Sequence, residues 1–429
     1  MLKSIAEWSR STRARVVACW LVVVLVTASA ARYAYRNVML PLGELDSDFV
    51  AFYCGTRAVV RGDNPYDEAV RRECYRENSP LFRDWITSYE ENVARIREAG
   101  GTHTGELEPP QYLNPPQFAY LLAPLSLLPV VPAAVCWLAL NHVWYLGGLI
   151  LLWRTLRPRM GFVATGLLIC AVLNCLAAYG FFVRYQSSGL LFVTLVAAIA
   201  AFLAGRDGLA SLMMFLSLVV KPYVGAPLCL LWWAWGRRRL VGLVAVLVLV
   251  STLLCVLGVG MPALQDYVFR EIPGAFTEQT EDFWETNVLT PSFFALTSRY
   301  LTVSRPVARC IAVLLSLLLG GATVIALRRV HPEGRGSWHA MGLVVCAAVL
   351  VAPYNRVYDM VILWIPVFFL LADWRSWSRE SWIPIGGLVA VVMALTFSFH
   401  ATVYTMVCGC LWLLELVAMR RYGLEACGR

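Results

Sequence analysis

The sequence predicts an all-α, polytopic integral membrane protein of about eleven transmembrane helices with a long first external loop. Three observations carry that reading. Of the 429 residues, 59% are hydrophobic and only 15% charged, with a mean hydropathy of +0.63; a soluble globular chain carries roughly 25% charged residues. Apolar runs of about 20 residues, the length that crosses a bilayer, recur along most of the chain. Lys and Arg gather in short runs at the ends of those segments, as the positive-inside rule expects, and 16 Trp suit two interfacial belts. The net charge of +8 therefore reports membrane topology and not a nucleic-acid partner.

Taken in order, Lys3, Arg10, Arg13 and Arg15 place the N-terminus in the cytoplasm. Residues 15–36 resemble a signal peptide but lack a small-residue cleavage site and precede further spans, so they read as a retained first helix. Residues 37–115 are too polar for lipid and form the external loop, with surface helices expected at 67–77 and 90–98. Residues 116–129 hold Pro116, Pro124 and Pro129 and are too short to cross, which suits an interfacial or re-entrant piece. Spans follow at 131–153, 161–182 and 187–204. The run 209–235 is interrupted by Lys221-Pro222 between two basic flanks, so it reads as a pair of short helices.

Span 240–260 then leads to a second external loop, 261–301, which carries Asp266, Glu271, Glu278, Glu281, Asp282 and Glu285. Span 303–327 returns to Arg328-Arg329. Spans near 338–353 and 359–372 meet at the turn Pro353 to Asp359, and spans 382–400 and 402–419 end in a basic cytoplasmic tail. The whole chain, 1–429, reads as one membrane domain without a 20–50-residue repeat. Its 13 cysteines are scattered with no CxxC; only Cys54 and Cys74 share the external segment, and spacing leaves their pairing open.

Chemistry points to the stretch 46–66. Asp46 and Asp48 open a short amphipathic helix directly after the first span, and Gly62 with the turn Asp63-Asn64-Pro65 closes it. Two further polar groups fall on the same side in this topology: Arg184-Tyr185-Gln186 and Arg356, Tyr358 and Asp359. Lys221 lies inside an apolar run, where a lysine costs a few kcal/mol unless it is paired or lines a cavity. Blander roles stand beside each. Asp48 suits a helix first turn through the dipole; Arg57, Arg61 and Arg184 suit interface anchors; Lys221 could snorkel; Asp359 could pair with Arg356. The five histidines (His103, His142, His331, His339, His400) are dispersed without metal-ligand spacing, and no Walker loop, GxGxxG or Ser/His/Asp set occurs. No cofactor and no metal are expected.

The pattern Asp48-Phe49-x-x-Phe52-Tyr53, then Arg61-Gly62-x-x-Pro65-Tyr66, resembles the first-loop signature of the polyprenol-phosphate-mannose-dependent α-mannosyltransferases, glycosyltransferase family 87, whose fold is of the GT-C membrane type. Asn114-Pro115-Pro116, Leu121-Leu122-Ala123-Pro124-Leu125, Leu128-Pro129, Lys221-Pro222 and Pro353-Tyr354 to Tyr358-Asp359 extend the resemblance over about residues 46–372. One departure stands out: where the family commonly has Gly-Gln-x-Asn, this chain has Tyr185-Gln186-Ser187-Ser188.

The resemblance implies inverting transfer of a sugar, mannose, from a polyprenyl-phosphate donor to a lipid-linked glycan or glycolipid at the external face of a bacterial cell membrane, among its lipids. Asp48 would be the general base, with Asp46, Tyr53, Tyr66, Arg184, Gln186, Lys221, Arg356, Tyr358 and Asp359 as the substrate-binding set. The chemistry agrees. A lipid phosphate leaves as a stable anion and needs no general acid, so one carboxylate suffices to take the acceptor proton, unlike the carboxyl pair of glycoside hydrolases. Cations would stabilise the departing phosphate. The alternatives are a transporter or flippase of lipid-linked sugars, or the same fold with another polyprenyl-phosphate sugar such as arabinose.

Overall fold

Long apolar runs leave the backbone no partner but itself, and they fold here as helices. The computed structural model describes residues 12–43, 47–78, 112, 114–158, 160–273, 292–301, 303–330, 335–352, 356–377, 382–398 and 400–427; no strand occurs among them. The first helix, α1 (Thr12–Ala34), stays helical through a π-turn at Tyr35–Met39 as far as Gly43, beyond the expected end at 36.

The expected amphipathic helix follows as α2 (Ser47–Arg61), burying Phe49, Val50, Phe52 and Tyr53. It ends where glycine permits: Gly62 has φ +82°, and the amides of Gly62 and Asp63 bond the carbonyls of Val59 and Ala58. The Asn64 side chain then accepts from the Tyr66 amide at 3.1 Å and donates to Asp266 at 2.6 Å. A second surface helix, α3 (Glu68–Asn78), matches the expected 67–77; the one expected at 90–98 lies outside the described residues.

Two links fasten α3 to α2: the Arg57–Glu77 ion pair at 2.9 Å and a Cys54–Cys74 disulfide, the pairing that spacing left open. The bridge closes a loop of sequence separation 20. Breaking it with Cys54→Ser and Cys74→Ser is expected to remove about 3 kcal/mol of stability. Thermal unfolding with and without reductant checks this, and an unmoved midpoint would refute it.

Helix α4 (Pro116–Leu122) and a 3-10 turn at Ala123–Leu127 form the expected short piece, with proline at the first helical position. It packs against α2, Phe118 meeting Phe52 edge to face. Then come α5 (Val130–Leu156), α6 (Phe162–Leu173) and α7 (Leu176–Val183), the last two being the expected span 161–182 broken at Asn174-Cys175. Three short helices follow: α8 (Ser188–Leu203), α9 (Asp207–Val220) and α10 (Pro222–Ala234). Lys221 separates α9 from α10 with φ −148° and ψ 88°, the extended geometry forced on a residue before proline. At 1.5 Å per residue each of the three is about 20–24 Å long, short of the ~30 Å hydrocarbon core.

Helix α11 (Arg238–Asp266) runs past the expected boundary at residue 260. Gly260, at φ +85°, kinks it, but Pro262 fits the first turn of the resumed helix, which continues through a π-turn at Tyr267–Glu271. The Asn64–Asp266 bond and the stacking of Tyr66 on Tyr267 hold this extension against the α2–α3 layer. The acidic residues from Glu278 to Glu285 lie outside the described residues. The chain ends with α12 (Phe293–Tyr300), α13 (Arg305–Leu327), α14 (Arg335–Val351), a 3-10 turn at Val357–Leu363 leading into α15 (Trp364–Trp377), α16 (Trp382–Phe397) and α17 (Ala401–Cys427).

Among the described residues six helices are long and apolar enough to cross a membrane, and four more apolar helices are shorter. Their apolar surfaces point two ways. On α14, residues 343–350 are buried on every side, most extensively against α17, as an all-round apolar helix must be. On α1, α11 and α13, large side chains such as Trp20, Leu257 and Leu317 stand two-thirds or more exposed, surface that only lipid covers stably. The protein is a polytopic membrane protein.

One polar cluster sits inside this core. His339 of α14 places Nδ1 at 2.6 Å from Glu415 of α17 and Nε2 at 3.6 Å from Asp373 of α15, all three buried. A Cβ on Gly342 would strike the Glu415 carboxyl group. Gly342→Ala is therefore expected to cost about 1–3 kcal/mol through overpacking, read as a lower unfolding midpoint in detergent; an unchanged midpoint would show that the carboxyl moves aside freely.

Candidate active site

The N-termini of α2, α8 and α10, the turn before α8 and the 3-10 turn at Val357–Leu363 carry the polar residues that converge. Asp48 lies half-buried in the first turn of α2, where the dipole favours an anion. Its carboxylate accepts a hydrogen bond from the Gln186 side-chain amide at 2.5 Å. Gln186 belongs to the tight turn between α7 and α8, which its own amide closes on the Phe181 carbonyl at 2.9 Å.

The turn depends on an unusual backbone. Tyr185 has φ +50°, the left-handed region that glycine favours, in the position where the resembling family commonly has glycine. A non-glycine residue there stays only if its surroundings hold it. Those surroundings are visible. The Tyr185 hydroxyl donates to the Pro41 carbonyl, the Trp137 indole donates to the Tyr185 carbonyl at 2.7 Å, and the Phe49 ring packs on the Tyr185 ring at 5.7 Å. The same contacts tie the turn to the segment around α2 and so set where Gln186 meets Asp48.

Two residues on, Ser188 opens α8 and joins the second half of the site. Its hydroxyl donates to Asp359 at 2.5 Å and accepts from the Lys221 ammonium at 3.3 Å. Lys221 also pairs directly with Asp359 and lies over the Tyr358 ring, 4.8 Å from its centroid. The Asp359 carboxylate further accepts the Arg356 backbone amide at 3.3 Å. Both charged side chains are buried, with relative exposures of 3% for Lys221 and 0% for Asp359. Lys221 therefore does not snorkel; its charge is balanced inside the protein, as a buried ammonium requires.

The structure thus brings together Asp48, Gln186, Lys221, Tyr358 and Asp359, with Arg356 bonded through its backbone. Arg184 is exposed beside the Gln186 turn, and Arg356 is half-buried. Tyr53 and Tyr66 serve differently. Their hydroxyls donate to the carbonyls of Leu128 at 2.9 Å and Asn114 at 2.7 Å, bonds that fasten α2 and its closing turn to the neighbouring layer. Burial pushes the Tyr66 phenol well above its ordinary value, so it remains a neutral donor. Asp46 and Pro353-Tyr354 lie outside the described residues. Sequence reasoning missed Ser188 and Trp137 as parts of the site, and it named Tyr185 without the role of shaping the turn. The Gln-Ser-Ser run was visible, but its partners lie 138 and 171 residues away.

No group of three or more potential ligands that could hold a metal occurs among the described residues. The arrangement offers a carboxylate oriented by an amide, a buried ion pair that fixes the turn carrying that amide, and helix N-termini that favour anions. Such an arrangement, set among helices long and apolar enough to cross a membrane, is the candidate site of a membrane protein. The model of glycosyltransferase family 87 matches residues 112–353, more than half of the 429-residue chain. The chain belongs to that family and is a membrane glycosyltransferase. Arg184, Gln186 and Lys221 fall within the matched span, whereas Asp48 and Asp359 flank it. No curated protein and no solved structure matches the chain.

Proposed function

We propose that the protein transfers mannose from a polyprenyl-phosphate donor to a lipid-linked glycan or glycolipid at the external face of a bacterial cell membrane, with both termini in the cytoplasm. Asp48 takes the proton of the acceptor hydroxyl as it attacks the anomeric carbon, with inversion. The bond to the phosphate oxygen breaks, and the polyprenyl phosphate leaves as an anion without protonation. The observation that carries this reading is the Gln186 bond to Asp48, which orients one carboxylate at the head of α2.

The short helices α8, α9 and α10 support the reading, because none is long enough to span the hydrocarbon core and a lipid phosphate would have a short path to the Lys221 junction between them. Two helix N-termini, of α8 and α10, meet there, and such termini stabilise phosphate. Lys221 is committed to Asp359, so Arg184 and Arg356 are the guanidinium groups proposed to meet the departing phosphate, while Lys221, Asp359 and Ser188 hold the turn.

The test is an assay of the full chain in detergent with radiolabelled polyprenyl-phosphate mannose and a membrane glycolipid extract. Mannosyl transfer with inverted anomeric configuration is expected. Transfer only from polyprenyl-phosphate arabinose would keep the enzyme class and replace the sugar. Failure of every polyprenyl-phosphate donor, with movement of lipid-linked sugar between leaflets of proteoliposomes, would favour a flippase.

A further inference from the structure

An apolar groove of about 660 Å³ lies between α1, α6, α15, α16 and α17, apart from the site above: Asp48, Gln186, Lys221 and Asp359 do not line it. Its walls are aliphatic, with Leu25, Leu167, Leu371 and Val392 among them. Along α6 it extends from Met160 to Asn174, about 20 Å at the helical rise. That exceeds the ~15 Å of hydrocarbon in one leaflet. The clearly polar lining residues, Ser29, Arg32, Asn174 and Thr396, gather at one end: two near the end of α1, one just after α6, one in the last turn of α16.

That end carries positive charge that no carboxylate answers among the described residues. Arg32 and Arg36 stand four residues apart on one helix face, where like charges repel. Neither forms an ion pair among the described residues; Arg36 is instead held over the Tyr179 ring of α7, 4.2 Å from its centroid. A guanidinium fork matches a phosphate bidentately, and the stacked ring pre-orients it. The chain reaches Asp48 only a dozen residues further on, so this mouth opens on the same membrane face as the candidate active site.

We propose that this groove binds one anionic glycerophospholipid of the surrounding bilayer, its phosphodiester on Arg32 and Arg36 and an acyl chain along the aliphatic walls. The one-ended polarity gives the lipid its direction, and the two arginines select a net negative headgroup over a zwitterionic one. Because Asp48, Gln186, Lys221 and Asp359 do not line the groove, the phosphate bound here is a different one from the phosphate that leaves during transfer. The inference does not depend on which sugar is moved, or on transfer at all.

Native mass spectrometry of the full chain with added dioleoyl phosphatidylglycerol or dioleoyl phosphatidylethanolamine tests it. One retained phosphatidylglycerol is expected, with retention at least about tenfold weaker in the Arg32→Ala/Arg36→Ala double variant, a difference worth roughly 1.4 kcal/mol. Arg32 is exposed and Arg36 half-buried, so the variant is expected to stay monodisperse. Ala171→Phe, which fills the groove, should abolish retention of both lipids. Equal retention of phosphatidylglycerol by the double variant, or equal retention of the two lipids by the wild type, would overturn the proposal. So would displacement of phosphatidylglycerol by polyprenyl phosphate, which would make the groove a donor site.

Discussion

Asp48→Asn is expected to lower the rate of sugar transfer by about 10²–10⁴-fold, the contribution of a positioned general base, while leaving the protein folded. Asparagine keeps the shape of the side chain and still accepts from the Gln186 amide, so the packing of α2 against the turn is undisturbed. What disappears is the group that accepts the acceptor proton. Because a lipid phosphate needs no protonation to leave, no second acid compensates. The comparison is single-turnover transfer by wild type and variant, both shown to be monodisperse. A variant retaining more than about a tenth of the wild-type rate would remove Asp48 from the base role and move attention to Asp46.

The second large effect is on stability. Lys221→Met leaves the Asp359 carboxylate buried at 0% exposure without its cation, and Asp359→Asn leaves the ammonium without its anion. Each is expected to cost about 3–5 kcal/mol, because a lone buried charge must be desolvated uncompensated. The double variant Lys221→Met/Asp359→Leu removes both charges and is expected to be more stable than either single variant. Thermal unfolding in detergent reads this as a non-additive cycle. Additive losses, or single variants within about 1 kcal/mol of wild type, would show that the pair is not the anchor of the site. Activity separates the two roles: a stable double variant that no longer transfers sugar would place the pair in orienting Gln186 and Ser188.

Much of this was legible in the chain. The apolar runs, the basic clusters, the Gly62 stop and the Lys221-Pro222 break are local, and each fixes a helix or its end within a few residues through periodicity, backbone sterics or the cost of burying charge. The end of α11 lies beyond the expected boundary for the complementary reason. Gly260 and Pro262 are local breaking signals, but the bond from Asn64 to Asp266 and the Tyr66–Tyr267 stack, formed across some 200 residues, let the helix resume.

The site divides the same way. Its candidate acids, cations and amide could be named from sequence, because a polar side chain beside or within an apolar run is conspicuous wherever it stands. Their partners could not. The sequence offered Asp359 an ion pair with its neighbour Arg356 or a place in the substrate-binding set, and the fold gives its carboxylate Lys221 and Ser188, 138 and 171 residues earlier. Tyr185 read as a departure from the family's glycine, and only packing against Pro41, Trp137 and Phe49 shows how a tyrosine holds φ +50° there. By itself the sequence determined an all-helical membrane protein with an acid at the head of its first loop helix, since hydropathy and capping act over a few residues. Which groups meet was decided by tertiary structure, because pairing buried charges requires helix packing to bring distant residues within about 3 Å and to exclude the water that would otherwise solvate them.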